Sequence, residues 1–170
     1  MNKSDTRKHY NSYFVMYTIL FAALSILFFY GFWKAKLSFV WNVDGRTQHI
    51  HALQFYSDWL QQIAKNILFK HKLEIPLWSF SIGYGSDIIT TLHYYVIGDP
   101  LCLLSIFVPD RYMVHFYDIM ILFRVYLAGL SFSVYCFYRK QNNRIAVITG
   151  ALLYACLLYT SPSPRDISGS

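Results

Sequence analysis

The densest run of chemically capable side chains is Trp41-Asn42-Val43-Asp44-Gly45-Arg46-Thr47-Gln48, a short polar turn between apolar stretches. A carboxylate such as Asp44 can act as general base toward a hydroxyl acceptor, or bind a cation that neutralises a phosphate. Arg46 could meet such a phosphate directly. The same spacing also suits an architectural role. Asp and Thr both start helices well, and a helix beginning near Ile50 could be capped by Asp44 or by Thr47.

A second cluster is spread over Gly83-Tyr84-Gly85-Ser86-Asp87, Leu92-His93-Tyr94-Tyr95 and Gly98-Asp99-Pro100. Paired tyrosines beside the acids Asp87 and Asp99 could form a sugar-binding rim. Aromatic faces stack on sugar C–H surfaces, and carboxylates accept from sugar hydroxyls. Turn chemistry is the competing explanation, since Asp-Pro is a routine turn start. The Gly-x-Gly lacks the further glycine and the lysine of a phosphate-binding loop.

His49 and His51 lie two apart, which on a helix points them in different directions, so one metal is not easily shared. Cys102, Cys136 and Cys156 are odd in number, widely spaced and set in apolar runs. That pattern indicates neither a zinc site nor a disulfide framework. A divalent cation remains a candidate cofactor only through the carboxylates.

The elements that must position these residues are dictated by hydropathy. Of the 170 residues, 55% are hydrophobic and only 14% charged. Tyr13 to Trp33 is a run of 21 residues without a charge. At the helical rise it spans about 30 Å, the thickness of a bilayer's hydrocarbon core. No small-residue cleavage pattern follows, so residues 13–33 are expected to be a retained transmembrane helix rather than a signal peptide. A second span is expected over 112–138, and a third apolar run over 145–159. The predicted class is an all-α integral membrane protein.

Basic residues orient it. Residues 1–12 and 139–144 carry three Lys or Arg each, whereas 34–111 spread seven over 78 positions. By the positive-inside rule the dense ends are cytoplasmic and the 34–111 loop is extracytoplasmic. The net charge of +6 is therefore read as topology, not as a nucleic-acid surface. Aromatics at 19% fit a protein rich in interfacial Tyr and Trp.

Within the loop, Ile50, Leu53, Tyr56, Leu60, Ile63 and Ile67 recur at three- and four-residue steps. They predict an amphipathic helix over about 48–69. Its apolar face could lie on the membrane surface or pack on the protein itself. Pro76 ends helical structure. Ser79 to Ser86 is rich in Gly and Ser and can turn sharply. The eight residues Leu101 to Val108 are too short to span a bilayer, so a re-entrant or interfacial segment is expected.

Asp118 and Arg124 fall inside the second span, about 9 Å and 18 Å from its outer end by the helical rise. Their six-residue separation does not place them on one face. Intramembrane ionisable groups are functional candidates by default. The last eleven residues, Thr160 to Ser170, break abruptly into Ser-Pro-Ser-Pro. The stretch LLYTSPSPRD resembles a tail that recurs at the ends of metagenomic reading frames, so 160–170 is expected to be foreign to the native protein.

Taken in order, Asp44-Gly45 with Gln48, Pro76 with Trp78, Gly83, Gly85 and Asp87, Tyr94-Tyr95, Asp99-Pro100 and Leu127 to Phe132 resemble the beginning of the bacterial YfhO family. The resemblance covers about residues 13–159. It implies a GT-C-type glycosyltransferase, a polytopic enzyme that takes sugar from a polyprenyl-phosphate carrier outside the membrane. The acceptor would be a cell-envelope polymer such as lipoteichoic acid. In such enzymes an acidic residue of the first external loop is catalytic, and that role falls on Asp44. Substrate contacts then fall to Arg46, Gln48, Asp87, Tyr94, Tyr95 and Asp99. The resemblance implies many more spans, so this stretch alone is expected to be inactive. From another class, a transporter or flippase of lipid-linked sugars would use Asp118 and Arg124 along its path, and a non-catalytic scaffold would use neither set.

Overall fold

The computed structural model describes residues 3–40, 43–141 and 143–160, with side chains defined from residue 11 to residue 157 of those stretches. Trp41 and Asn42 of the polar turn, and the tail after Thr160, lie outside the described residues. The described residues are helical apart from one small hairpin, and the chain divides into two compact units, residues 38–120 and residues 1–37 with 121–170.

In the second of these units, α1 (Lys3–Lys34) starts well inside the segment expected to be a polar tail. Residues Asn11–Lys34 are long and apolar enough to cross a membrane, as are Asp110–Tyr138, which include α4 (Met113–Tyr138). α5 (Arg144–Thr160) is apolar but shorter. Tyr13 and Tyr17 of α1 are fully buried against Val147, Ile148 and Ala151 of α5. Their hydroxyls are satisfied at depth: Tyr13 donates to Ser133 Oγ at 2.8 Å, and Tyr17 donates to the Tyr126 carbonyl at 2.9 Å. Lipid offers no water to an unpaired hydroxyl, so these bonds replace what hydration supplies elsewhere. The helices approach closely because Gly129 has no side chain. A Cβ there would strike the Tyr17 hydroxyl and lie 2.9 Å from the Ala151 carbonyl oxygen.

The unit of residues 38–120 is built on α2 (Ile50–Lys70). The amphipathic period is real, and its face turns inward onto protein. Leu53, Tyr56 and Trp59 pack with Ile88, Leu92, Val96, Cys102 and Met113. Near the C-terminal end the expected stripe departs from the observed one: Asn66 is buried and Ile67 is exposed. A 3₁₀ helix, Pro100–Phe107, lies along α2. Two α2 side chains hold it by donating to its backbone. Ser57 Oγ bonds the Ser105 carbonyl at 2.8 Å, and Gln61 Nε2 bonds the Ile106 carbonyl at 3.2 Å. The segment expected to be re-entrant or interfacial is this 3₁₀ helix. With residues 88–97 it forms an apolar pair bent by 98°.

The Gly/Ser-rich stretch closes an antiparallel hairpin, in which β1 (Trp78–Ser79) pairs with β2 (Ser86–Asp87). Gly83 at φ +58° and Gly85 at φ +110° make the reversal, in left-handed backbone that side chains oppose. The Trp78 and Phe80 rings lie over Gly85, where a Cβ would come within 3.1–3.3 Å of them.

Candidate functional site

The polar turn after residue 42 folds as a π-helical turn, Gly45–His49, which runs into α2. π-Turns are uncommon and concentrate at functional sites, because widening the helix re-aims its side chains. Asp44 stands at the N-cap position of this turn in helical backbone, and its side chain makes no capping bond. Thr47 does not cap either: its hydroxyl donates back to the Val43 carbonyl at 2.6 Å. Helix capping therefore does not account for the acid.

What Asp44 does contact is Gln48, one turn on. The Gln48 Nε2 donates to Asp44 Oδ1 at a long 3.3 Å. At its other end, Gln48 Oε1 accepts from the Tyr95 hydroxyl at 2.7 Å. The amide thus ties the carboxylate to a tyrosine 51 positions away in sequence. Tyr95 comes from a second π-turn, His93–Ile97, which continues α3 (Ile88–Leu92). Its ring is held edge-on by Tyr94 at 4.8 Å and by His49 at 5.3 Å. Asp44 is half-buried, Arg46 and Gln48 are exposed, and Tyr94 is exposed. Four of the sequence candidates, Asp44, Gln48, Tyr94 and Tyr95, thus meet on one rim, and Arg46 stands on the same turn.

The other acids are occupied differently. Asp87 caps α3: its Oδ1 accepts from the Thr90 N–H at 2.6 Å and the Thr90 hydroxyl at 2.7 Å. The backbone bond first, then the hydroxyl, hold its carboxyl below the usual carboxylate range, since both favour the charged form. Such an acid is a weak proton acceptor. Asp99 caps the 3₁₀ helix by accepting from the Leu101 N–H at 2.8 Å. For these two, the turn chemistry weighed against sugar binding accounts for the oxygen that accepts the cap.

Asp118, considered as a path-lining charge, accepts the Ser38 hydroxyl at 2.7 Å and the Phe39 N–H at 2.9 Å. It fastens the start of the unit to α4. Arg124 is half-buried farther along that helix, in the other compact unit. A carboxylate the motifs did not single out is the exposed Asp58, whose pKa is raised first by partial desolvation and then by the charge of Asp110, against an opposing pull from Lys65. No local signal could reveal it, because Asp58 and Asp110 are distant in sequence. Among the described residues, no three His, Cys, Asp or Glu side chains group to hold a metal ion.

A family model described as bacterial membrane protein YfhO matches residues 16–161. No curated protein and no solved structure matches the chain.

Proposed function

Since the chain belongs to the family of the bacterial membrane protein YfhO, we propose that it contributes the extracytoplasmic, acid-bearing part of a polytopic GT-C-type glycosyltransferase. The reaction moves sugar from a polyprenyl-phosphate donor to a cell-envelope polymer such as teichoic acid. Asp44 is the general base. The acceptor hydroxyl oxygen attacks the anomeric carbon, and its proton passes to the Asp44 carboxylate. The bond from that carbon to the phosphate oxygen breaks, and polyprenyl phosphate leaves with the electron pair. Arg46 meets the phosphate charge, and the Tyr94 and Tyr95 faces receive the sugar.

The observation that carries this reading is the hydrogen-bonded run Asp44–Gln48–Tyr95. It joins an acid with no capping duty to an aromatic rim, which is the pairing that proton abstraction and sugar stacking require. The location suits the chemistry. A polyprenyl donor keeps its tail in lipid and its sugar in water, so the acid belongs just outside a span, with residues 1–12 in the cytoplasm. The test is transfer of labelled sugar from a polyprenyl-phosphate donor by the purified full-length protein in liposomes. Donor-dependent labelling of teichoic acid is expected. A protein that moves the intact lipid-linked sugar across the bilayer without transferring it would contradict the proposal and favour transport.

A further inference from the structure

The last turn of α2 is unlike the rest of the helix. Ile67, Leu68 and Phe69 are consecutive and all exposed, Leu68 at 68% and Phe69 at 81%. Leu73 follows, also exposed. An open cleft of about 420 Å³ separates Leu68, with Gln61, Ala64 and Lys65 on the same helix, from Ile106, Phe107, Val108 and Pro109 at the end of the 3₁₀ helix. Phe107 is 82% exposed. Phe69 lines the adjoining cleft with Lys65 and Lys70. Single exposed apolar residues are ordinary, but a run of them beside a bare phenylalanine marks a surface that meets something apolar.

Three observations identify that partner. First, Phe107 lies three residues before Asp110–Tyr138, a segment long and apolar enough to cross a membrane, and Leu68 faces Phe107 across the cleft. Second, the 3₁₀ helix is one arm of the bent apolar pair, a shape suited to partial immersion. Third, three lysines gather on the apolar turn itself, between the acids Asp58 and Glu74. Residues 59–73 contain Lys65, Lys70 and Lys72 and no Asp or Glu, and all three lysines are exposed. Lysine stems can lie along apolar surface while their ammonium groups reach the phosphates above it.

We infer that the C-terminal turn of α2 and the end of the 3₁₀ helix form a shelf, built from Leu68, Phe69 and Phe107, that enters the membrane interface and selects anionic phospholipid through Lys65, Lys70 and Lys72. The inward-packed face of α2 takes no part in this. The amphipathic helix therefore serves two surfaces, protein along most of its length and lipid at its end. Apolar insertion combined with basic residues is the general recipe for interfacial binding, and anionic headgroups strengthen it through the lysines. The shelf stands independently of sugar transfer.

The test places a benzophenone amino acid at Phe69 or at Phe107 in the full chain. The protein is then reconstituted in nanodiscs of equal phosphatidylglycerol and phosphatidylcholine, irradiated, and weighed intact. Both positions are highly exposed, so neither replacement disturbs the core. The expected product is a single-lipid adduct at both positions, with phosphatidylglycerol favoured several-fold over phosphatidylcholine. Lys65→Gln, Lys70→Gln and Lys72→Gln together should level that ratio and leave the adduct. Cross-links to the protein's own chain or to a second copy would overturn the shelf, as would the absence of any adduct. An even lipid ratio in the unmodified background would overturn the selection of anionic headgroups.

Discussion

Three aspartates of the 38–120 unit carry one side chain into three situations. Asp87 accepts two short bonds and is stabilised as the anion. Asp44 takes a long bond from a neutral amide. Asp58, though exposed, is disfavoured as the anion, by partial desolvation first and by Asp110 second. The sign of the last effect is testable. A carboxyl whose folded pKa is raised binds more protons in the folded state, so stability falls as pH rises through that range. Asp58→Asn should therefore raise the Tm at neutral pH, and the gain should vanish below the ordinary carboxylate range, where both forms are neutral. Thermal melts across that range read the difference, and a destabilised variant at neutral pH would contradict the assignment. The sequence singled out the polar turn around Asp44, because polar residues between two apolar segments stand out. It could not separate the acids from one another. That separation depends on partners such as Tyr95 and Thr90, and only folding decides whether a carboxylate meets a backbone N–H or an amide.

At the scale of elements, close approach of α1, α4 and α5 rests on a missing side chain. Gly129→Ala would put its Cβ against the Tyr17 hydroxyl and the Ala151 backbone. The expected cost is about 1–3 kcal/mol, as for other overpacked cores. Gly31→Ala has nothing within 4 Å of the new Cβ, and should be neutral or gain up to about 1 kcal/mol from helix propensity. Unfolding in detergent compares the two, and equal effects would contradict the packing described. The long elements were legible because hydropathy and the 3.6-residue period act over many residues. That signal placed α2 near 48–69, against Ile50–Lys70 observed. The short ones were not. The two π-turns depend on which backbone carbonyls are in reach, and the hairpin joins strands of two residues each, too few for an alternation to register. The destination of the α2 face was also undecidable from its period, since lipid and a protein core select the same apolar stripe.

For the whole molecule, an externally presented donor requires the 38–120 unit to lie outside the cytoplasm while the basic segment after α4 lies inside. Ser81 and Gln141 are both exposed. A cysteine at Ser81 should react with a membrane-impermeant thiol reagent in intact cells, and one at Gln141 should react only after permeabilisation. The reverse pattern would place the candidate site on the wrong side for a donor presented externally. The central claim, that Asp44 takes the acceptor's proton, is tested most directly by Asp44→Asn in the full-length protein. Asparagine keeps the size of the side chain and can still accept from Gln48, but it removes the charge and the basicity. Sugar transfer should fall by roughly 10²–10⁴-fold, the scale of a lost general base, with the loss in kcat and donor binding retained. Near-normal turnover of Asp44→Asn would contradict the claim.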